Sequence, residues 1–154
     1  MRTALTLATV VLFLVTPVSG SQERTHFPYS ISMSADTGKL FGEVSVQIES
    51  ERDKSKPKIK SIRLQIKGKW KTVPAKAFAD LESPLLHKSE IRTERGWGDS
   101  PWLYIYFEVL HWDDKGKWHT RKVHIAWHKG RFEHRSITYQ KPDGSTKWEK
   151  LDLP

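Results

Sequence analysis

The chain has 154 residues with seven tryptophans, six phenylalanines, four tyrosines and no cysteine, a 37% hydrophobic share and a formal charge of +8. That length fits one domain around one hydrophobic core. The lack of cysteine excludes a disulfide framework, thiol chemistry and a lipid-anchored cysteine. The positive charge either draws the chain to polyanions at a cell surface or serves solubility alone.

Residues 1–20 read as a secretory signal. Arg2 supplies the positive end, residues 4–15 the apolar region, and Val18-Ser19-Gly20 a cleavage site before Ser21. Interrupted by Thr6 and Thr9, this stretch falls short of the ~20 apolar residues that span a bilayer. Nothing later in the chain approaches a span, so removal of the signal would leave no integral membrane segment. The expected product is a secreted or periplasmic protein, residues 21–154, forming a single antiparallel β domain charged +7 once Arg2 is lost.

Phe27, Tyr29, Ile31 and Met33 alternate with proline and serines, the period of a half-buried strand. Asp36-Thr37-Gly38-Lys39 is a turn, and Val44, Val46 and Ile48 mark the next strand. A polar loop over 50–57 leads to a third strand in which Ile62, Leu64 and Ile66 face one way. Lys54, Lys56, Lys58 and Lys60, spaced two apart, read as a solvated loop or as lysines that blunt an edge strand. Gly68 begins a hinge. Pro74 then opens the only helix-forming stretch, a short helix around 75–81 that ends before Ser83-Pro84. Residues 87–93 suggest another strand, and 96–101 a loop containing Trp97.

The last third is the most legible. Residues 102–112 form a long strand, Asp113-Asp114-Lys115-Gly116-Lys117 turns, and 118–127 return. Pairing Asp113 with Lys117 sets Phe107 opposite Val123, Ile105 opposite Ile125 and Leu103 opposite Trp127 on one apolar face. The other face carries Trp112 against Trp118, Glu108 against Lys122, Tyr106 against His124 and Trp102 against His128. A second hairpin through Lys129-Gly130 leads to a strand in which Phe132 is out of phase with Ile137 and Tyr139; a bulge would reconcile them. The expected fold is all-β, an antiparallel sandwich or strongly curved sheet of seven to nine strands with one short helix.

Candidate chemistry centres on histidine and on the aromatic face. His124 and His128 share a strand face but sit ~13 Å apart, beyond joint reach of a zinc ion with bonds of ~2.0–2.1 Å. His111 and His119 face each other near the hairpin tip and are the candidate metal pair, with Glu90, Glu94, Asp99 or His87 as conceivable third ligands. Glu108, the best-placed carboxylate for acid–base work, lies opposite Lys122, which suggests a cross-strand ion pair instead. No nucleophile elbow, phosphate loop or zinc-ligand motif occurs, and no cofactor is implied.

Trp102, Tyr104, Tyr106, Trp112 and Trp118, joined by His124 and His128, line one side of the hairpin, with Lys122, Lys129 and Arg131 as basic neighbours. Flat aromatic platforms stack on sugar rings and, with cations nearby, hold polyanions. Alternatively a second sheet or the short helix covers this side and makes it core. The leading expectation is a non-catalytic binding module whose partner is a polysaccharide or other envelope polyanion. A protein-interaction or inhibitor domain is the alternative, and a metal-dependent enzyme using His111 and His119 stands third.

Overall fold

The computed structural model describes residues 29–52, 56–95, 100–113, 115–141 and 143–154. The expected signal, its cleavage site, Phe27, Lys54, Trp97 and Asp99 lie outside the described residues, as do the side chains of Leu86, His87 and Trp112.

Nine strands follow one another: β1 (Ser30–Asp36), β2 (Glu43–Ser50), β3 (Ile59–Ile66), β4 (Lys69–Thr72), β5 (Pro84–Arg95), β6 (Pro101–Trp112), β7 (Trp118–His128), β8 (Arg131–Gln140) and β9 (Thr146–Asp152). They build two antiparallel sheets, β1-β2-β3-β4 and β5-β6-β7-β8-β9, in which every strand pairs with its neighbours in sequence. Neither sheet closes into a barrel. No helix among the described residues is long and apolar enough to cross a membrane.

Alternation decides which side of each sheet is buried. In the first sheet Ile31 pairs with Ile48 and Met33 with Val46, which continue to Ile62 and Leu64 of β3. The serines between them face outward. In the second, Leu103, Ile105 and Phe107 meet Trp127, Ile125 and Val123. These apolar faces close on each other as one core that also holds Val73, Phe78, Leu81, Phe132 and Ile137. At roughly 25 cal/mol per Å² of apolar area removed from water, that contact between sheets dominates stability.

The hinge expected at Gly68 is a two-residue hairpin turn. Lys67 and Gly68 both have positive φ, 49° and 74°, matching the right-handed twist of β3 and β4. The short helix expected around 75–81 is a single 3-10 turn, Ala75–Ala77, preceded by Pro74. Burying Ala77, Phe78 and Leu81 together turns the chain inward within one turn and leaves no length for a regular helix. Lys58 forms an isolated antiparallel bridge with Glu82. The start of β3 is therefore occupied by this connection and is not the open edge that the lysine spacing suggested.

The phase problem in β8 is resolved by a bulge. Ala126 pairs with His134 but Trp127 with Phe132, so Glu133 is the extra residue. Phe132 and Ile137 thereby both reach the core. Arg135 also points inward: its Nη1 donates to the Ala77 carbonyl oxygen at 3.3 Å and to Asp80 Oδ1 at 2.5 Å, tying the second sheet to the connection between the two.

Candidate ligand-binding face

The register of the β6–β7 hairpin is the one the apolar pairs dictate. Asp113 N–H donates to the Lys117 carbonyl, and the ladder runs from Leu103↔Trp127 to Trp112↔Trp118. Trp102, Tyr104, Tyr106, Trp118, Lys122, His124 and His128 consequently share the side away from the core. The first sheet and the Ala75–Ala77 turn occupy the opposite side, as the Arg135 bonds require. Exposure varies along the outer side: Tyr106, Glu108, Leu110 and Ser136 are buried, Trp102, Tyr104, His124 and His128 are half-buried, and Trp118 and Trp148 are 59% and 60% exposed.

At one end of this side the rings occupy one another. Trp102 stacks on His128, with centroids 4.0 Å apart and planes within 8°, and lies nearly parallel to Tyr104 at 6.1 Å. His134 approaches Trp102 at 5.8 Å, and His124 approaches Tyr106 at 4.9 Å. The Arg92 guanidinium lies 3.8 Å above the Tyr106 ring. Tyr106 is therefore not a free platform: it is 7% exposed, and its hydroxyl donates to Glu108 Oε1 at 2.6 Å. Burial and that bond push its hydroxyl up to about 12. Glu108 thus takes its hydrogen bond from its own strand, where an ion pair with Lys122 was expected. With Glu90 bound by Arg92, both carboxylates near this spot are engaged.

At the other end lies a groove of about 480 Å³ between β7, β8 and β9, lined by Trp118, Thr120, Lys122, Thr138, Gln140 and Thr146 among others. Trp148 shares this side, since it pairs with Thr138, itself opposite Lys122. Strand geometry puts Trp118 and Trp148 roughly 16 Å apart across the sheet. Of the groove's polar side chains the sequence singled out Lys122; Thr138, Gln140, Thr146 and Trp148 were missed because the phase of β8 was open. A bulge placed at Glu133 puts His134, Ser136 and Thr138 beside His124 and Lys122, and the turn before Thr146 then carries the phase to Trp148.

Lys129, at φ 46°, and Gly130 make the β7–β8 turn, and Lys129 is exposed. Arg131 is exposed and clamped to Glu133 by Nε at 2.8 Å and Nη2 at 3.2 Å. His111 and His119 do stand opposite each other, on the core side of the sheet beyond its apolar part. His119 Nε2 lies 3.1 Å from Asp113 Oδ2. Burial, then the charges of Arg121 and Lys58, depress His111. Glu90 and Glu94, opposite Tyr106 and Trp102, are on the other side of the sheet and do not complete a site with these histidines. Among the described residues no group of three His, Cys, Asp or Glu side chains is arranged to hold a metal ion.

Comparison of the chain with protein-family models, curated proteins and solved structures gave no match.

Proposed function

We propose that this protein is an exported, non-catalytic binding module of the cell envelope or extracellular space, and that it holds a glycan chain on the outer side of its five-stranded sheet. The reading rests chiefly on Trp118 and Trp148, two largely exposed indoles on the side that carries a groove lined by threonines, glutamine and lysine. Sugars present an apolar C–H face and a rim of hydroxyls. Indole faces complement the first, and Thr120, Thr138, Gln140, Thr146 and Lys122 offer hydrogen bonds to the second. Two large aromatics left in water beside a polar groove support reading this side as a contact surface.

The residues of this face contribute unequally to the proposed binding. Trp118 and Lys122 border the groove; Trp102, Tyr104, Tyr106, His124 and His128 form the adjoining ring cluster; Lys129 and Arg131 supply positive charge at its far margin. The test is retention of the purified protein on a panel of insoluble polysaccharides and cell-wall preparations at low and high salt. Retention on at least one polymer, lost in Trp118→Ala and Trp148→Ala variants whose thermal unfolding is unchanged, is the expected result. Retention on none, or retention indifferent to both substitutions, would overturn the reading.

A further inference from the structure

The ring cluster next to the groove contains three imidazoles. By register His124 and His128 lie on β7 and His134 on β8, opposite Ala126, and all three are half-buried on the outer side. Each touches an aromatic ring: His128 lies flat on Trp102, His134 leans on the same indole, and His124 sits between Tyr104 and Tyr106. An imidazolium gains from such rings through cation–π attraction. The Nδ1 of His128 lies 3.3 Å from the Pro101 carbonyl oxygen. That oxygen only accepts, so Nδ1 is the donor.

The charges around the three nearly cancel. On β5, Lys88 and Arg92 alternate with Glu90 and Glu94; Glu108 lies on β6 and Lys122 on β7. Arg131 and Glu133 lie on β8, and Lys150 and Asp152 on β9. Tyr104 and Tyr106 are held in their neutral forms, raised first by burial. With Lys129 in the turn after His128, six cations meet five carboxylates, and protonating three imidazoles raises the net charge of this surface from one to four. Burial lowers His124 and His134, with Arg92 next against His124 and Lys150 against His134.

We propose that His124, His128 and His134 form an acid-dependent anion site, so that the outer side binds anionic polysaccharide more tightly as pH falls. The inference rests on the glycan reading for its choice of ligand, because the hydroxyl- and amide-lined groove adjoins the imidazoles. A sulfate-bearing polymer fits best, since its charge persists where the histidines are protonated.

The experiment measures binding of dextran sulfate and of neutral dextran by the full protein at pH 7.5 and 5.0, at fixed ionic strength, with near-ultraviolet circular dichroism confirming the fold at both. Three half-buried charges, each contributing about two- to threefold, should raise dextran sulfate affinity roughly tenfold at pH 5.0. The gain should vanish in a His124→Gln, His128→Gln, His134→Gln triple variant. If that variant does not fold, imidazole proton resonances of the unaltered protein give the same answer: their midpoints must move up when dextran sulfate is added. A pH-independent affinity, an undiminished gain in the triple variant or unmoved midpoints would overturn the site. Equal competition by single-stranded DNA would overturn the choice of polysaccharide. If dextran sulfate fails while the insoluble panel still retains the protein, only the acid-dependent site is lost; if nothing is retained anywhere, the glycan reading fails with it.

Discussion

Arg135 reaches Asp80 across 2.5 Å from the inward side of β8, joining the second sheet to the connection that leads from the first. The guanidinium stem is 8% exposed and the carboxylate stands at the surface. A second bond to the Ala77 carbonyl anchors the 3-10 turn, while the buried Nε has no partner. Such a group is costly to strand.

Asp80→Ala should destabilise the protein by about 1–3 kcal/mol, because it leaves the guanidinium inside with less compensation. Arg135→Met, which fills the space without a charge, should cost less than Arg135→Ala. Urea unfolding of the three variants checks the order; a neutral Asp80→Ala would mean that the bond contributes nothing.

Acid should weaken the fold through its histidines. His111, His124 and His134 all lie below the ordinary value of 6.5, burial being the first cause in each. The unfolded chain then binds more protons than the folded one, so stability is full above about pH 6.5 and is lost as pH falls through the depressed folded values. Unfolding midpoints between pH 7.5 and 5.0 should decline, and His111→Gln should flatten the decline.

Deleting Glu133 should harm the protein far more than replacing it. Without the extra residue Phe132 can no longer share the inward side with Ile137, and loss of a buried phenylalanine from a core costs about 3–5 kcal/mol. Glu133→Ala keeps the bulge and gives up only the exposed pairing with Arg131, worth under about 1 kcal/mol. Thermal unfolding separates the two.

Tyr106→Phe should cost about 1–3 kcal/mol, since the Glu108 carboxylate, 8% exposed, loses the hydroxyl that donates to it. Ultraviolet titration of the unaltered protein should show a tyrosine that ionises late, near 12, and Tyr106→Phe should remove that late step. Its persistence would assign the late step elsewhere.

The sequence was most informative where two independent signals met. In β6 and β7 a glycine-containing turn and three apolar pairs demanded one register, and every cross-strand neighbour followed. Legibility ended where a strand lacks alternation: Lys69–Thr72 is exposed along its whole length, so nothing distinguished it from a hinge. It also ended at Glu133, where a single additional residue reverses which side chains point out and thereby concealed the groove and Trp148. The partner of Glu108 was misjudged for another reason. Register names the residue across the ladder, but the phenol two positions along the same strand has the reach to satisfy it.

Because each sheet is a meander cut from one continuous part of the chain, the ladders of the nine strands pair neighbours in sequence, while the meeting of the two apolar faces, the Lys58–Glu82 bridge and the Arg135 bonds join more distant segments. Loop-closure entropy is then small for each hairpin, which favours rapid assembly compared with Greek-key sandwiches of similar size. The same arrangement makes the chain divisible. A break in the exposed part of the connection, next to Ala79, would separate two complete meanders, each left with one uncovered apolar face and each the other's natural complement.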